Sequence, residues 1–403
     1  MSRGQRLTAL IVNYNSGAYT WACAVSLELE WQALGRDRAD LELIVVDNAS
    51  PADQAEPLAH LEERGVQVVR SPENLGYAGG MNLGLASSAE DTRPDDLVAI
   101  LNPDLYFLPG SLGVLVDYIS ANPHPGAVDP RAFIDPACGL NLPRNLLPTL
   151  VDHTWMALAQ MSPALCRAYS RRRLKKALPW WSAEQPLEAE MLSGCCLFLR
   201  RGVVDELPHL MDPRYPLYYE DTDLFRELVA RGYKLVHHGG ARVLHHWSRS
   251  TGLVGGAAET EAGRRYVVSQ DAYYRKFYGG LGAAWARLVN KAVERWPRKL
   301  YNRPMHELAE LGSFVEPIEV ELPRSARFLV EMGMAPNWLL SAGIFGEGTT
   351  WTCPPETWAW FFQARYFMRI LDVDTGELLG AWTFEKSVPG RDNPMDPSEF
   401  NHA

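Results

Sequence analysis

The chain has 403 residues, 47 % of them hydrophobic and 22 % charged, with a formal net charge of −10. This excludes a mostly disordered protein and supplies enough apolar material for two domains. The acidic balance disfavours a broad nucleic-acid-binding surface, and no run of about 18 apolar residues is present to span a membrane.

Met1-Ser-Arg-Gly-Gln-Arg leads straight into a strand without an apolar signal segment, so a cytoplasmic location is expected. Leu7-Thr-Ala-Leu-Ile-Val-Asn-Tyr-Asn is a short apolar run that stops in polar residues, as a buried parallel strand does. Helical spacing follows over 18–34. A second strand ends at Asp47, and a helix over 53–64 precedes a short third strand at Val66. Gly76-Tyr-Ala-Gly-Gly-Met-Asn leads into another helix. Asp96-Leu-Val-Ala-Ile-Leu-Asn-Pro-Asp is a fourth strand ending at Asp104. Residues 110–121 read as helix, 122–185 are irregular and rich in Pro and Arg, and 191–200 is another strand. Glu220-Asp-Thr-Asp begins a helix that closes at Gly232, and two short strands lead to His245-His-Trp. After about residue 310, short runs rich in Val, Phe, Trp and Thr alternate with Gly and Pro turns, which predicts a small β-rich module.

Alternating strands and helices predict an α/β fold with a mostly parallel sheet, in which ligands bind beyond the carboxyl ends of strands. Asn13, Asn15, Asp47, Asn102 and Asp104 all fall at such ends. Asp104 has the chemistry to hold a divalent cation on a diphosphate. Three carboxylates, Glu220, Asp221 and Asp223, crowd one helix start. Mutual repulsion raises their pKa values, which suits acid–base work or metal contact. His245 gains interest only if the same site holds a metal. The glycine-rich stretch 74–82 permits close backbone approach to an anion, but it matches neither the dinucleotide nor the P-loop pattern. Cys23, Cys138, Cys166, Cys195, Cys196 and Cys353 show no metal spacing and read as reduced, buried thiols.

Taken together, Ile11-Val-Asn-Tyr-Asn-Ser, Val45-Val-Asp-Asn-Ala-Ser, Asn74-Leu-Gly-Tyr-Ala-Gly-Gly-Met-Asn, Leu101-Asn-Pro-Asp, Ser193-Gly and Tyr218-Tyr-Glu-Asp-Thr-Asp-Leu resemble a family-2 glycosyltransferase. Their order resembles the rhamnosyltransferase- and galactofuranosyltransferase-like branch. The resemblance covers about residues 6–255 and implies a GT-A fold, Rossmann-like with a mostly parallel sheet. It implies that Val12, Asn13 and Tyr14 hold the nucleobase and ribose, that Asp47 binds base or ribose, and that a Gly79-Gly80 loop and Asn82 face the donor. Asp104 stands in the last position of the family's metal-binding DxD, with Asn102 in the first, where it orients a ligand without adding charge. His245 is implied as a further ligand of Mg²⁺ or Mn²⁺. Asp221 of the Glu220-Asp221 pair is implied as the general base of a single, inverting displacement. The implied donor is dTDP-rhamnose or a UDP-sugar, and the acceptor a hydroxyl of a cell-surface polysaccharide or lipid-linked glycan.

These expectations divide the chain into a transferase domain over 1–300, with a helical extension over 256–300, and a β-rich accessory domain over 301–403. The accessory part carries −8 of the net charge, which leaves the transferase part nearly neutral. Two stretches there, 166–181 and 287–303, are strongly basic and contain Trp, which suits peripheral contact with the inner face of an anionic membrane. Trp338, Trp351, Trp358, Trp360 and Trp382 of the accessory part either fill its core or stack on sugars, and a homo-oligomer contact is equally open. Two other functional classes compete: a sugar nucleotidyltransferase, whose glycine-rich activating motif is absent from residues 11–15, and a non-catalytic glycan-binding protein on a degenerate transferase. Intact Asp104, Asp221 and His245 argue against the second.

Overall fold

The computed structural model describes residues 4–50, 55–246, 261–296 and 304–396. In chain order the elements are β1 (Leu7–Asn13), α1 (Gly17–Ala33), β2 (Leu41–Asp47), α2 (Ala55–Glu63), β3 (Gln67–Arg70), α3 (Gly76–Ala86), β4 (Leu97–Leu101), β5 (Leu105–Phe107), α4 (Ser111–Ala121), β6 (Pro125–Phe133), α5 (Leu150–Ala159), α6 (Pro163–Trp181), β7 (Pro186–Glu188), β8 (Cys196–Arg200), α7 (Arg201–Asp205), α8 (Glu220–Ala230), β9 (Lys234–His245), α9 (Glu261–Arg295), β10 (Ala309–Phe314), β11 (Glu319–Gly333), β12 (Ala342–Thr352), α10 (Pro355–Trp360), β13 (Arg365–Asp372) and β14 (Leu378–Lys386). Gly279, at φ 69°, breaks α9 into two segments.

The chain packs as two compact units. The first comprises Met1–Arg131, Ala183–Ala283 and Asn393–Ala403; the second comprises Ala132–Ser182 and Ala284–Asp392. In the first, β3-β2-β1-β4 form a parallel core, and β8, β6, β9 and β5 extend it, with antiparallel pairing at β4–β8, β6–β8 and β5–β9. Every residue of β1 and β4 is buried, because helices cover both faces of a parallel sheet.

Register then positions the polar strand ends. Asn13 pairs with Asp47 across β1 and β2. Leu101 pairs with Cys196, so the Ser193-Gly194-Cys195 turn lies beside Asn102, whose N–H donates to the Cys195 carbonyl at 2.8 Å. Leu105 pairs with His245, which sets residue 245 next to Asp104 across about 140 residues of chain.

The second unit is built on a five-stranded sheet, β10-β14-β13-β11-β12. Its core includes Phe328, Trp351, Trp358, Tyr366 and Phe384. Trp338, Trp351, Trp358 and Trp360 are all buried, and Trp382 packs against the core, so these side chains fill the unit instead of stacking on an exposed sugar.

Candidate active site

At the end of β1, Asn13 spends its whole side chain on structure. Its Nδ2 donates to Asp47 Oδ1 at 3.1 Å and Ser50 Oγ at 3.0 Å, and its Oδ1 accepts from Ser16 Oγ at 3.1 Å and Thr20 Oγ1 at 2.9 Å. Tyr14 beside it is exposed and Asp47 half-buried. Val12 is buried against Gly80, where a Cβ would lie 2.8 Å from the valine methyl. Gly79 and Gly80 belong to the first turns of α3, not to a loop as the sequence suggested; small residues there let α3 sit close on β1. Asn82 is taken up by the backbone of Met211, donating to its carbonyl at 2.7 Å and accepting from its N–H at 3.2 Å.

Asn48 and Asn74 fix the start of α3. Asn48 Nδ2 donates to Asn74 Oδ1 and to the Gly76 carbonyl, both at 3.1 Å, and Asn48 Oδ1 accepts the Leu75 N–H at 2.8 Å. Gly76 has φ 74°, and a Cβ there would meet the Pro216 carbonyl at 2.7 Å, so only glycine serves.

This arrangement delivers Tyr77 into a polar cluster. Tyr77 Oη donates to Asn102 Oδ1 at 3.0 Å, and Asn102 Nδ2 lies 3.2 Å from His245 Nε2. Asp104 Oδ1 lies at the same 3.2 Å from that nitrogen. Burial alone would raise the Asp104 carboxyl, but the neighbouring imidazole outweighs it and holds Asp104 below its ordinary value. Burial opposes charge on His245 too, yet Asp104 and then Cys195 hold its pKa well above the usual imidazole value. Nε2 thus faces an acceptor and a donor together. With a proton it donates to Asp104; with its lone pair free it is open to a cation. Burial, then the charges of Glu220, Cys195, Asp221 and Asp104, push the Tyr77 phenol up, which makes Tyr77 the common neighbour of the cluster.

The acidic start of α8 divides into two jobs. Asp223, grouped with its neighbours in the sequence reading, is a structural clamp: it accepts from Tyr215 Oη at 2.8 Å and lies 2.8 Å from Lys276 Nζ. Among the described residues, neither Glu220 nor Asp221 forms an ion pair with a cation. Asp221 Oδ1 accepts from the Thr222 N–H at 2.6 Å and Thr222 Oγ1 at 3.2 Å. Glu220 Oε2 is buried without a hydrogen-bond partner among the described residues. Burial pushes both carboxyls up, and the charge of Asp221 pushes Glu220 further. A proton on either carboxyl relieves the repulsion between them. The backbone of Gly194 presses so close to Asp221 that any side chain there would overlap the carboxylate.

Backbone strain concentrates here as well. Of six non-glycine residues with positive φ among the described residues, Asn15, Ala49, Tyr218 and Tyr219 lie in the loops after β1 and β2 and just before α8. Such conformations cost about 1–3 kcal/mol each and persist where function holds them.

The glycosyl transferase family 2 profile matches residues 8–178. An N-acetylglucosaminyl-diphospho-decaprenol L-rhamnosyltransferase of Mycobacterium tuberculosis, in strains CDC 1551 and H37Rv alike, is 30 % identical over 257 residues, 61 % of this chain and 78 % of that protein. The chain belongs to glycosyl transferase family 2. It is an enzyme, a glycosyltransferase, and its α/β sheet is the GT-A layout that membership implies. Among solved structures, the mannosyltransferase of Pyrobaculum calidifontis with GDP-mannose and Mn²⁺ aligns at TM-score 0.43 and 14 % identity, covering 73 % of this chain and 74 % of that one. TarS 1–349 of S. aureus aligns at TM-score 0.40 and 12 % identity, covering 68 % and 73 %.

In this family-2 glycosyltransferase the structure brings Asn102, Asp104 and His245 together, and it places the Glu220-Asp221 pair within electrostatic reach of Tyr77 beside them. Sequence reasoning passed over Tyr77, Asn48 and Cys195. Asn48 and Tyr77 sit inside quoted motifs, and their signal was a polar or hydroxylated side chain one residue after a strand-end Asp or a left-handed glycine. It also passed over the fully buried Asp129–His237 pair, 2.9 Å apart, whose Asp129 Oδ2 accepts the Ser193 N–H at 2.8 Å and so holds the turn that abuts Asp221. No local pattern marks that pair.

Proposed function

We propose that this glycosyltransferase moves rhamnose from dTDP-rhamnose, in preference to a sugar from a UDP donor, onto a hydroxyl of a lipid-linked glycan or nascent cell-surface polysaccharide, with inversion at the anomeric carbon. The observation that carries the reading is the cluster of Tyr77, Asn102, Asp104 and His245 at the end of β4, with the adjacent carboxylates Glu220 and Asp221 at the start of α8 acting on Tyr77 through their charges. The Mycobacterium relative, named for a rhamnosyl transfer to a diphospho-decaprenol acceptor, supports the choice of donor and acceptor.

Asp104 and His245 would hold Mg²⁺ or Mn²⁺. Among the described residues no three His, Cys, Asp or Glu side chains converge as a closed metal cage. Two protein donors fit a cation that takes its remaining ligands from substrate phosphates and water. Such a cation, when bound, offsets the charge that develops on the departing nucleoside diphosphate. Asn102 then orients His245 and Tyr77 from one side chain. Asp221 takes the proton of the acceptor hydroxyl as that oxygen attacks, and the desolvation that raises its pKa raises its basicity. Asp47 and Tyr14 face the nucleoside at the ends of β2 and β1, with Val12, Asn13, Gly79, Gly80 and Asn82 setting their frame.

Among the described residues no helix is long and apolar enough to cross a membrane. Peripheral work at the inner face of the plasma membrane is the setting that a lipid-linked acceptor supports.

The test is transfer from dTDP-rhamnose and from UDP-sugars to a polyprenyl-diphospho-N-acetylglucosamine acceptor, with and without chelator. The reading requires dTDP-rhamnose to be the preferred donor, the product to have the opposite anomeric configuration, and chelator to abolish turnover. A product with retained configuration, or full turnover in chelator, overturns it.

A further inference from the structure

The basic, Trp-containing stretches remained outside the active site, and the second unit gives them a shape. Helix α5 presents Val151 and Leu158 to solvent, 72 % and 43 % exposed, on one helical face at i and i+7. The last turns of α9 present Trp285 and Leu288, 47 % and 59 % exposed, and Trp296 follows just beyond the helix end. Residues 285, 288, 292 and 296 are spaced three and four apart, so they share one flank. The two helices meet where Trp285 Nε1 donates to Thr154 Oγ1 at 2.9 Å. Between them lies an open groove of about 540 Å³, lined by Leu150, Val151, Thr154, Trp155, Leu158 and Trp285. Large apolar side chains left in water at one place mark an interaction surface.

The charge around the groove selects the partner. On α9, Lys291 and Arg295 border the apolar flank; the basic residues of 297–303 lie outside the described residues. At the α5 edge, Arg172 lies 5.4 Å from the Trp155 ring centroid. The acid of α5, Asp152, is neutralised there by Arg172 and by Tyr169 Oη at 2.8 Å. A cation-rimmed apolar face on a chain of net charge −10 is complementary to an anionic, partly apolar surface. Trp at such a face sits well at the headgroup level.

We propose that this groove is a docking face for the anionic headgroup layer of a lipid bilayer, with Val151, Leu158, Trp285 and Leu288 entering the interface and Lys291 and Arg295 meeting the headgroups. The proposal rests on the lipid-linked acceptor reading, for which such docking brings enzyme and acceptor to one surface.

The test is flotation of the full chain with vesicles of equimolar phosphatidylcholine and phosphatidylglycerol, and with phosphatidylcholine alone, over a salt series. The chain should float with the anionic vesicles at low salt and be released as salt rises. Combined Val151→Asp and Leu288→Asp should lower the bound fraction about tenfold or more, and so should combined Lys291→Glu and Arg295→Glu. Circular-dichroism melting should be unchanged in both, because the substituted side chains are in solvent. Donor-induced thermal shift, read on the same samples, reports the transferase reading separately: its loss with intact flotation counts against the donor and not against the docking face. Absence of flotation by the unaltered chain, or flotation by both variants equal to it, overturns the proposal. A dimer of the unaltered chain that Leu288→Asp converts to monomer also overturns it, by assigning the face to a second copy.

Discussion

One buried glutamate in each unit, Glu331 in the second and Glu220 in the first, meets opposite surroundings. In the second unit Glu331 is buried against Arg369, whose Nε donates to it at 2.8 Å, while Ser341 Oγ donates at 2.8 Å and Arg369 also reaches Ser170 Oγ at 2.6 Å. Every oxygen has a donor and the charge has its counter-charge. In the first unit the buried Glu220 sits beside the half-buried Asp221, and Glu220 Oε2 has no partner among the described residues. Folding alone does not retain an arrangement of that kind, since a neutral or apolar pair would cost less. The satisfied pair holds a sheet together, whereas the partnerless Glu220 oxygen beside Asp221 fits the proposed acid–base role.

Breaking each pair should therefore give different losses. Asp221→Asn removes the base without altering shape; single-turnover transfer should fall about a thousandfold, with donor affinity from calorimetry unchanged. Near-normal turnover would move the base elsewhere. Arg369→Ala should leave the rate per folded molecule intact and lower stability by about 3–5 kcal/mol in urea unfolding, because Glu331 is left charged and buried. A rate loss at full stability would mean that the second unit takes part in chemistry.

Tyr77→Phe removes one hydrogen bond to Asn102 and should slow transfer about fivefold, on the order of 1 kcal/mol, with a normal melting curve. Glu220→Gln should stabilise the fold by about 1 kcal/mol while impairing transfer. Its gain has a defined pH dependence. A carboxyl whose native pKa is raised binds its proton more tightly folded than unfolded, so the unaltered enzyme loses stability as pH rises from the ordinary carboxylate value to the raised one. The variant's advantage in thermal melts should grow across that window and then level off. An advantage greatest in acid would contradict the assignment.

Much of this was legible in the sequence because parallel strands announce themselves. The runs ending at Asn13, Asp47 and Asn102 are apolar on both faces and stop abruptly, and a strand end in an open α/β sheet is where ligands bind. Helix α8 was legible from its acids, its apolar stripe and Gly232. Roles within motifs were harder to read. The acids at 220, 221 and 223 look alike as letters, and only Lys276, some fifty residues on, separates the clamp from the pair that remains. Gly79 and Gly80 read as loop because glycine favours turns, while in the structure both are helical, with Gly80 packed on Val12 and Gly79 against Leu75. The pairing of Asn141 with Gly343, like that of Asp129 with His237, joins distant segments by register and burial, and neither leaves a local trace.

The proposed site depends on a divalent cation held by Asp104 and His245 that meets the donor's diphosphate. Titration calorimetry of dTDP-rhamnose into the unaltered enzyme and into His245→Ala, each with Mn²⁺ and with chelator, reads this directly. Mn²⁺ should tighten donor binding in the unaltered enzyme by about tenfold or more and leave the variant's affinity nearly unmoved. Equal tightening by Mn²⁺ in both proteins would contradict the site.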